Sequence, residues 1–154
     1  MKQIYAIDWF QGDESTGFRD TKKEVEDNIV KHQLNNIILV KCDFNEIVKV
    51  WNKNIDILFI DGSHDYESIK NDFYNWSKYL DNEGVILMHD TNVRDFGVRK
   101  LFLEIKGYYK FEFPHSAGLG IITKNNIIKI FIDNMYANDI IAYQESCLKH
   151  IYSE

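Results

Sequence analysis

The sequence predicts an α/β domain, doubly wound around a mostly parallel sheet, and three observations predict it. Four short runs are apolar without interruption: Ile4-Tyr5-Ala6-Ile7, Ile37-Ile38-Leu39-Val40, Ile57-Leu58-Phe59-Ile60 and Val85-Ile86-Leu87-Met88. Strands covered by helices on both faces read this way. Amphipathic stretches separate the runs, the alternation of repeated β-α units. Each run then ends on polar residues, at Asp8, at Lys41-Cys42-Asp43, at Asp61 and at His89-Asp90. Acids therefore collect at the carboxyl ends of four strands, the edge where open α/β sheets bind ligands.

The remaining elements follow from spacing. Tyr66, Ile69, Phe73, Trp76 and Leu80 recur at intervals of three and four, which puts them on one face of a helix over 65–81. Helices are also expected over 21–34, over 45–53, with Asn45 as a cap and Ile47, Val50 and Trp51 inward, and over 94–106. After Gly107 the pattern becomes strict alternation, Tyr109-Lys110-Phe111-Glu112-Phe113, then Pro114 and Gly118-Leu119-Gly120-Ile121-Ile122. That predicts an antiparallel pair closing the sheet. The stretch 126–154 reads as one broken helix or two. Its many isoleucines, with Phe131 and Met135, exceed one buried stripe, and either an interface between copies of the chain or a gap left in the sheet by a missing strand would absorb the surplus. The division expected is one domain over 1–125 with a helical extension of it over 126–154.

Composition narrows the function. With 154 residues, 45% hydrophobic and 27% charged, the chain has enough material for one core and none of the bias of a disordered sequence. A net charge of −6 opposes general binding to nucleic acid or anionic membrane, which requires a basic surface. Cys42 and Cys147 form neither a disulfide framework nor a CxxC site. No stretch approaches the roughly 18 apolar residues of a membrane span, and Met1 to Asp8 lacks the layout of a signal peptide. A soluble cytoplasmic protein is expected.

The stretch Ile55-Asp56-Ile57-Leu58-Phe59-Ile60-Asp61-Gly62-Ser63-His64-Asp65-Tyr66, then Asp72-Phe73, Trp76, Leu80 and Gly84-Val85-Ile86-Leu87-Met88-His89-Asp90, resembles class I S-adenosylmethionine-dependent methyltransferases. The resemblance is closest to the branch acting on sugars and other small molecules, often encoded beside polysaccharide and antibiotic pathways. Tyr5-Ala6-Ile7-Asp8-Trp9 with Gly12-Asp13 resembles that family's second strand and loop, Phe96-Gly97-Val98 the start of a later helix, and Gly118-Leu119-Gly120-Ile121 its last strand. The likeness spans about residues 4–124. It implies a Rossmann-like sheet with an antiparallel strand near its end. One departure stands out: the family's first β-α unit, a strand with a glycine-rich turn that cradles the cofactor, has no counterpart here. In the family that strand is central, so its loss is expected to bare the edges of both neighbours.

Candidate site residues fall at the strand ends. Asp8 can accept both hydrogen bonds of a ribose diol, or cap a turn. Asp43 stands where the family contacts adenine; the alternative is a helix entry with Asp43 or Asn45 as its cap. Asp61 follows an apolar strand directly and must face a crevice or a cation, because an unpaired carboxylate in a core is costly. The resemblance places it near the reactive methyl group. Asp90 ends the neighbouring strand, so the two acids can share one hard cation such as Mg²⁺, with Asn92 as a further donor; the alternative is that Asp90 caps a helix beginning near Val93. His64 or His89 is a candidate general base, and His64 can instead be a turn residue before the helix. His115 reads as a turn residue, and Trp9, Phe10 and Phe18 either stack on a ligand or pack in the core.

The resemblance implies methyl transfer from S-adenosylmethionine to a hydroxyl of a sugar or other small molecule, possible with Mg²⁺ assistance. Asp8, Asp43 and Asp61 would bind the cofactor, Asp61 and Asp90 the metal, and His89 or His64 would take the proton. Two rivals remain: a non-catalytic, truncated domain acting as remnant or assembly partner, and a metal-dependent hydrolase or hydroxylase on the same scaffold.

Overall fold

The structure is a computed structural model and describes residues 2–12 and 17–134. It divides into two compact units, 1–52 and 53–154. The boundary expected at 125/126 lies within the second.

In the first unit, β1 (Ile4–Asp8) pairs in parallel with β2 (Ile37–Lys41), from Ile4 opposite Ile37 to Asp8 opposite Lys41. Between them runs α1 (Lys22–Lys31), a helix with no buried residue and with Lys22–Glu26 and Lys23–Asp27 pairs along its surface. Its periodic face is thin. The helix expected over 45–53 is only α2 (Phe44–Ile47). Beyond it, Lys49 N donates to Glu46 O and Val50 N to Ile47 O, so the ladder tightens into single turns. Trp51 packs edge-on against Tyr5 at 5.0 Å. That long-range contact wins over the helical spacing that predicted a further turn. Phe10 is buried, with φ at 56°, while Trp9 and Phe18 are exposed.

The second unit carries β3 (Ile55–Ile60), α3 (Tyr66–Trp76), a 3₁₀ turn at Ser77–Tyr79, β4 (Leu80–His89), α4 (Gly97–Glu104), β5 (Tyr109–Phe113) and β6 (Leu119–Thr123). The strand order is β3-β4-β6-β5, with β3 and β4 parallel and β6 antiparallel to both its neighbours. The predicted closing pair is therefore present. Ile86 and Met88 of β4, Ile122 of β6, Ile69 and Phe73 of α3 and Leu101 of α4 are at most 1% exposed. Each such side chain contributes about 1.5–3 kcal/mol on burial. The stripe read from sequence on α3 is the stripe that is buried, at Ile69, Phe73 and Trp76.

Among the described residues, β1 ladders only with β2 and β3 only with β4. Each thus keeps one edge without a partner strand among those residues. On β3 the face away from Leu58 and Ile60 is open, with Ile57 65% and Phe59 56% exposed. Residues 126–134 are helical, and Ile132 is buried. Met135, the later isoleucines, Cys147, His150 and most of the expected oligomer segment lie outside the described residues. Among those described, no helix is long and apolar enough to cross a membrane.

The amino ends of α3 and α4 meet where glycine is required. Gly97 N donates to His64 O at 2.8 Å, and a Cβ on Gly97 would stand 2.2 Å from Tyr66 N and 2.4 Å from its Cα. Backbone cannot yield as a side chain does. Gly97→Ala is expected to cost about 1–3 kcal/mol or more of stability by forcing the two helices apart. Urea unfolding of the two proteins checks this, and equal midpoints would refute it.

Candidate active site

The strand-end acids of the first unit both serve local structure. An Asp8 carboxylate oxygen accepts the Phe10 amide, which holds the turn after β1. Asp43 is the N-cap of α2 and accepts from Asn45 N at 2.7 Å. The capping alternatives read from sequence are thus realised. Both carboxylates remain at the carboxyl edge of parallel strands, and each has a second oxygen to offer.

In the second unit the strand-end residues converge. β3 delivers Asp61 and β4 delivers His89 and Asp90. His89 Nδ1 stands 3.3 Å from Asp61 Oδ1 and 3.1 Å from Asp90 Oδ1. The other Asp90 oxygen, Oδ2, lies 3.0 Å from His64 Nε2. Asp90 is 7% exposed, whereas Asp61 and the two imidazoles are reached by solvent. A single buried carboxylate thus faces one histidine with each oxygen.

Local structure forces this arrangement. Asp90 has φ at 62°, a left-handed conformation that aspartate tolerates better than most residues. Its amide donates to Gly118 O at 3.0 Å. Gly118, itself at φ 88°, has no room for a side chain, because a Cβ would meet Asn92 N at 2.6 Å. Val93 N reaches Asp90 O at 3.3 Å, but α4 begins only at Gly97 with Phe96 as its N-cap. The expected helix near Val93 is therefore a turn, and the Asp90 side chain caps nothing.

His64 is held from three directions. Its ring stacks on Phe96, with centroids 4.0 Å apart and planes at 9°, its Nε2 faces Asp90, and its carbonyl accepts from Gly97. Capping of α3 falls to Asp65, whose carboxylate accepts from Ser68 N at 3.0 Å and from Ser63 Oγ at 2.7 Å. Asn92 is used elsewhere: Nδ2 donates to Pro114 O at 2.6 Å, and Oδ1 accepts from Arg99. It braces the loop and stands outside the cluster. His115 is a turn residue, its carbonyl accepting from Gly118 N.

The donors fit a cation. Asp61, His89 and Asp90 offer ligand atoms that all lie within 4.8 Å of one another. His89 Nδ1 is buried and makes no hydrogen bond, although two carboxylate oxygens are within 3.3 Å. Three electron-pair donors facing one another are what a positive ion reconciles. The sequence pointed to the two acids and left His89 as a base; its place beside them depends on the register of β3 with β4, Ile60 opposite Met88. Phe96 was readable only as the start of a helix.

Asp65 supplies a pH signature for this segment. Hydrogen bonds from Ser68, then Ser63, lower its carboxyl from 3.8 to about 2. The folded state favours the ionised form, so its contribution is present above 3.8 and is lost as pH falls toward about 2. Asp65→Ala is expected to cost about 1 kcal/mol near neutrality. In urea unfolding across that window the gap to the parent should close, and a pH-independent gap would contradict the cap.

Comparison with known proteins bears on the family and the fold. A family model described as a methyltransferase domain, methyltransferase family 24, matches residues 2–91. The protein y4gI of Sinorhizobium fredii is 32% identical over 127 residues, covering 78% of this chain and 14% of that protein. Among solved structures, CalS11, a TDP-rhamnose 3'-O-methyltransferase of calicheamicin biosynthesis, superposes with a TM-score of 0.61 at 13% identity, over 80% of this chain and 59% of that one. The S-adenosylhomocysteine-bound methyltransferase PaMTH1 of Podospora anserina gives 0.59 at 14%, over 81% and 72%. The chain thus spans a small part of its curated relative and under two thirds of CalS11. The family model spans more than half of the chain, and the chain therefore belongs to this methyltransferase family.

Proposed function

We propose that this chain carries out O-methyl transfer from S-adenosylmethionine to a hydroxyl of a sugar or similar small molecule in the cytoplasm, assisted by a divalent cation such as Mg²⁺. The observation that supports it most is the second unit's cluster, in which Asp90 joins His64 to the Asp61–His89 donors. A sulfonium methyl is already activated, so the protein has to align the acceptor oxygen and remove its proton. The cofactor supplies the methyl group, and a cation beside the acids would favour the ionised acceptor hydroxyl.

His64 is the base this arrangement favours. Its Nε2 faces Asp90 Oδ2 at 3.0 Å, which would leave Nδ1 to accept a proton, and Phe96 stacks on the ring. The acceptor O–H bond breaks as its oxygen bonds the methyl carbon. The carbon–sulfur bond would break as that bond forms, its electron pair going to sulfur, and the acceptor's proton would rest on His64. Asp8 and Asp43 would hold the nucleoside through carboxylate oxygens, and Asp61 and Asp90 the cation. A sugar acceptor is also the class that the name of CalS11 gives for that protein.

A non-catalytic role is the second reading, favoured by the unpaired edges of β1 and β3 and by the lack of a glycine-rich turn after either strand. Isothermal titration with S-adenosylhomocysteine separates the two. Saturable micromolar binding is expected, and no heat from a well-folded sample would leave the non-catalytic reading in place. Once an acceptor is identified from a panel of sugar nucleotides, His64→Gln should lower kcat about 10²- to 10⁴-fold with KM little changed. Retention of full kcat would remove His64 from the reaction.

A further inference from the structure

His64 and Asp90 are held from different sides, and one side chain joins the two supports. Asp90 opens the turn that follows β4, and that turn is laced to the β5–β6 connection. Asp90 N donates to Gly118 O at 3.0 Å, Asn92 N to Ala117 O at 2.9 Å and Asn92 Nδ2 to Pro114 O at 2.6 Å. His64 goes with the start of α4 instead. Its ring stacks on Phe96, and its carbonyl accepts from Gly97 N.

Residues 93–96 connect the two supports, and their backbone is thinly bonded. Val93 N reaches Asp90 O and Phe96 N reaches Val93 O, each at 3.3 Å, just past the usual range for such bonds. Arg94 and Asp95 between them are exposed. Among the described residues, the side-chain hydrogen bonds that span this turn come from Arg99 of α4. Its Nη1 donates to Thr91 O and to Asn92 Oδ1, both at 3.2 Å. A guanidinium is planar and its N–H groups point in fixed directions, so two acceptors on one nitrogen set both distance and direction. Thr91 is fully buried, which makes its carbonyl a firm anchor. Both acceptors are neutral oxygens, so the guanidinium contributes geometry here rather than neutralisation of a charge.

We propose that Arg99 is a positioning residue: by tying the first turn of α4 to Thr91 and Asn92, it sets the 3.0 Å approach of His64 Nε2 to Asp90 Oδ2. This rests on the reading of His64 as the base. Arg99 acts on that base through the backbone of α4, while its own hydrogen bonds go to Thr91 and Asn92.

The test is nuclear Overhauser spectroscopy of the full isotope-labelled chain, comparing the parent with Arg99→Met. The parent should show two contacts of the His64 ring, one to the Phe96 ring and one to the Asp90 methylene. Arg99→Met should keep the first and lose the second. The buried residues of α4, Val98, Leu101 and Phe102, are untouched by this change. Arg99→Gln, whose amide is too short to reach the same acceptors, is the second variant and has the same expected result. A role confined to stability would lower the urea midpoint yet leave both contacts in the folded variant, and that result would overturn the proposal. Loss of both contacts together in both variants, or a parent without the Asp90 contact, would overturn it as well. With an acceptor from the sugar-nucleotide panel, Arg99→Met should lower kcat about 10- to 100-fold with KM little changed. Full kcat in a variant that has lost the Asp90 contact would remove Arg99 from the reaction. A parent that binds no S-adenosylhomocysteine would sink the methyl-transfer reading, whereas the two ring contacts would still decide whether Arg99 sets the pair.

Discussion

A buried carboxylate needs partners, and Asp90 is the group whose partners organise the second unit's site. Leaving such a charge unpaired costs several kcal/mol, so its surroundings are constrained on every side. One oxygen meets His64 and the other His89, at 3.0 Å and 3.1 Å. The backbone takes the left-handed conformation at Asp90, which aspartate tolerates better than most residues, and the amide bond to Gly118 O holds it there. Gly118 can accept that approach only because it has no Cβ. The chain of requirements runs from a turn between β5 and β6, through a glycine, to the direction of one side chain.

The rigidity of the cluster comes from the core beneath it. β4 is central in its sheet, flanked by β3 and β6, and Ile86 and Met88 just before His89 are fully buried. Moving His89 or Asp90 along the strand would pull those side chains out of the core and expose apolar surface at about 25 cal/mol per Å². His64 is anchored differently, by the start of α3 against α4, where Gly97 lets two helix ends touch. The two histidines therefore depend on separate packing contacts and meet only at Asp90. A site arranged in this way keeps its geometry without ligand, which lowers the reorganisation that binding and reaction require.

Much of this was legible in the sequence because it follows from burial. The four apolar runs are strands, the closing antiparallel pair is where alternation placed it, and Ile69, Phe73 and Trp76 form the buried stripe of α3. Asp61, His64, His89 and Asp90 stood out because polar groups straight after apolar strands must face a ligand or a partner. What spacing could not give was the pairing across strands. The contact between His89 and Asp61 needs the β3–β4 register, and the preference of Trp51 for Tyr5 over a longer helix is a long-range effect. Asn92 looked like a donor from its neighbourhood in sequence. It became a brace because Pro114, 22 residues on, folds back to it.

The division of the chain also divides its chemistry. Asp8 and Asp43 lie in the first unit and hold local backbone amides; the cation and base candidates lie wholly in the second. The contacts that fix Asp61, His64, His89 and Asp90 are made by β3, β4, α3, α4 and the β5–β6 turn, none of which belongs to the first unit. The candidate cation donors therefore depend on the second unit's own fold, whereas the proposed nucleoside contacts would call on β1 and β2, which among the described residues ladder only with each other. An unpartnered edge exposes backbone groups and invites a further strand.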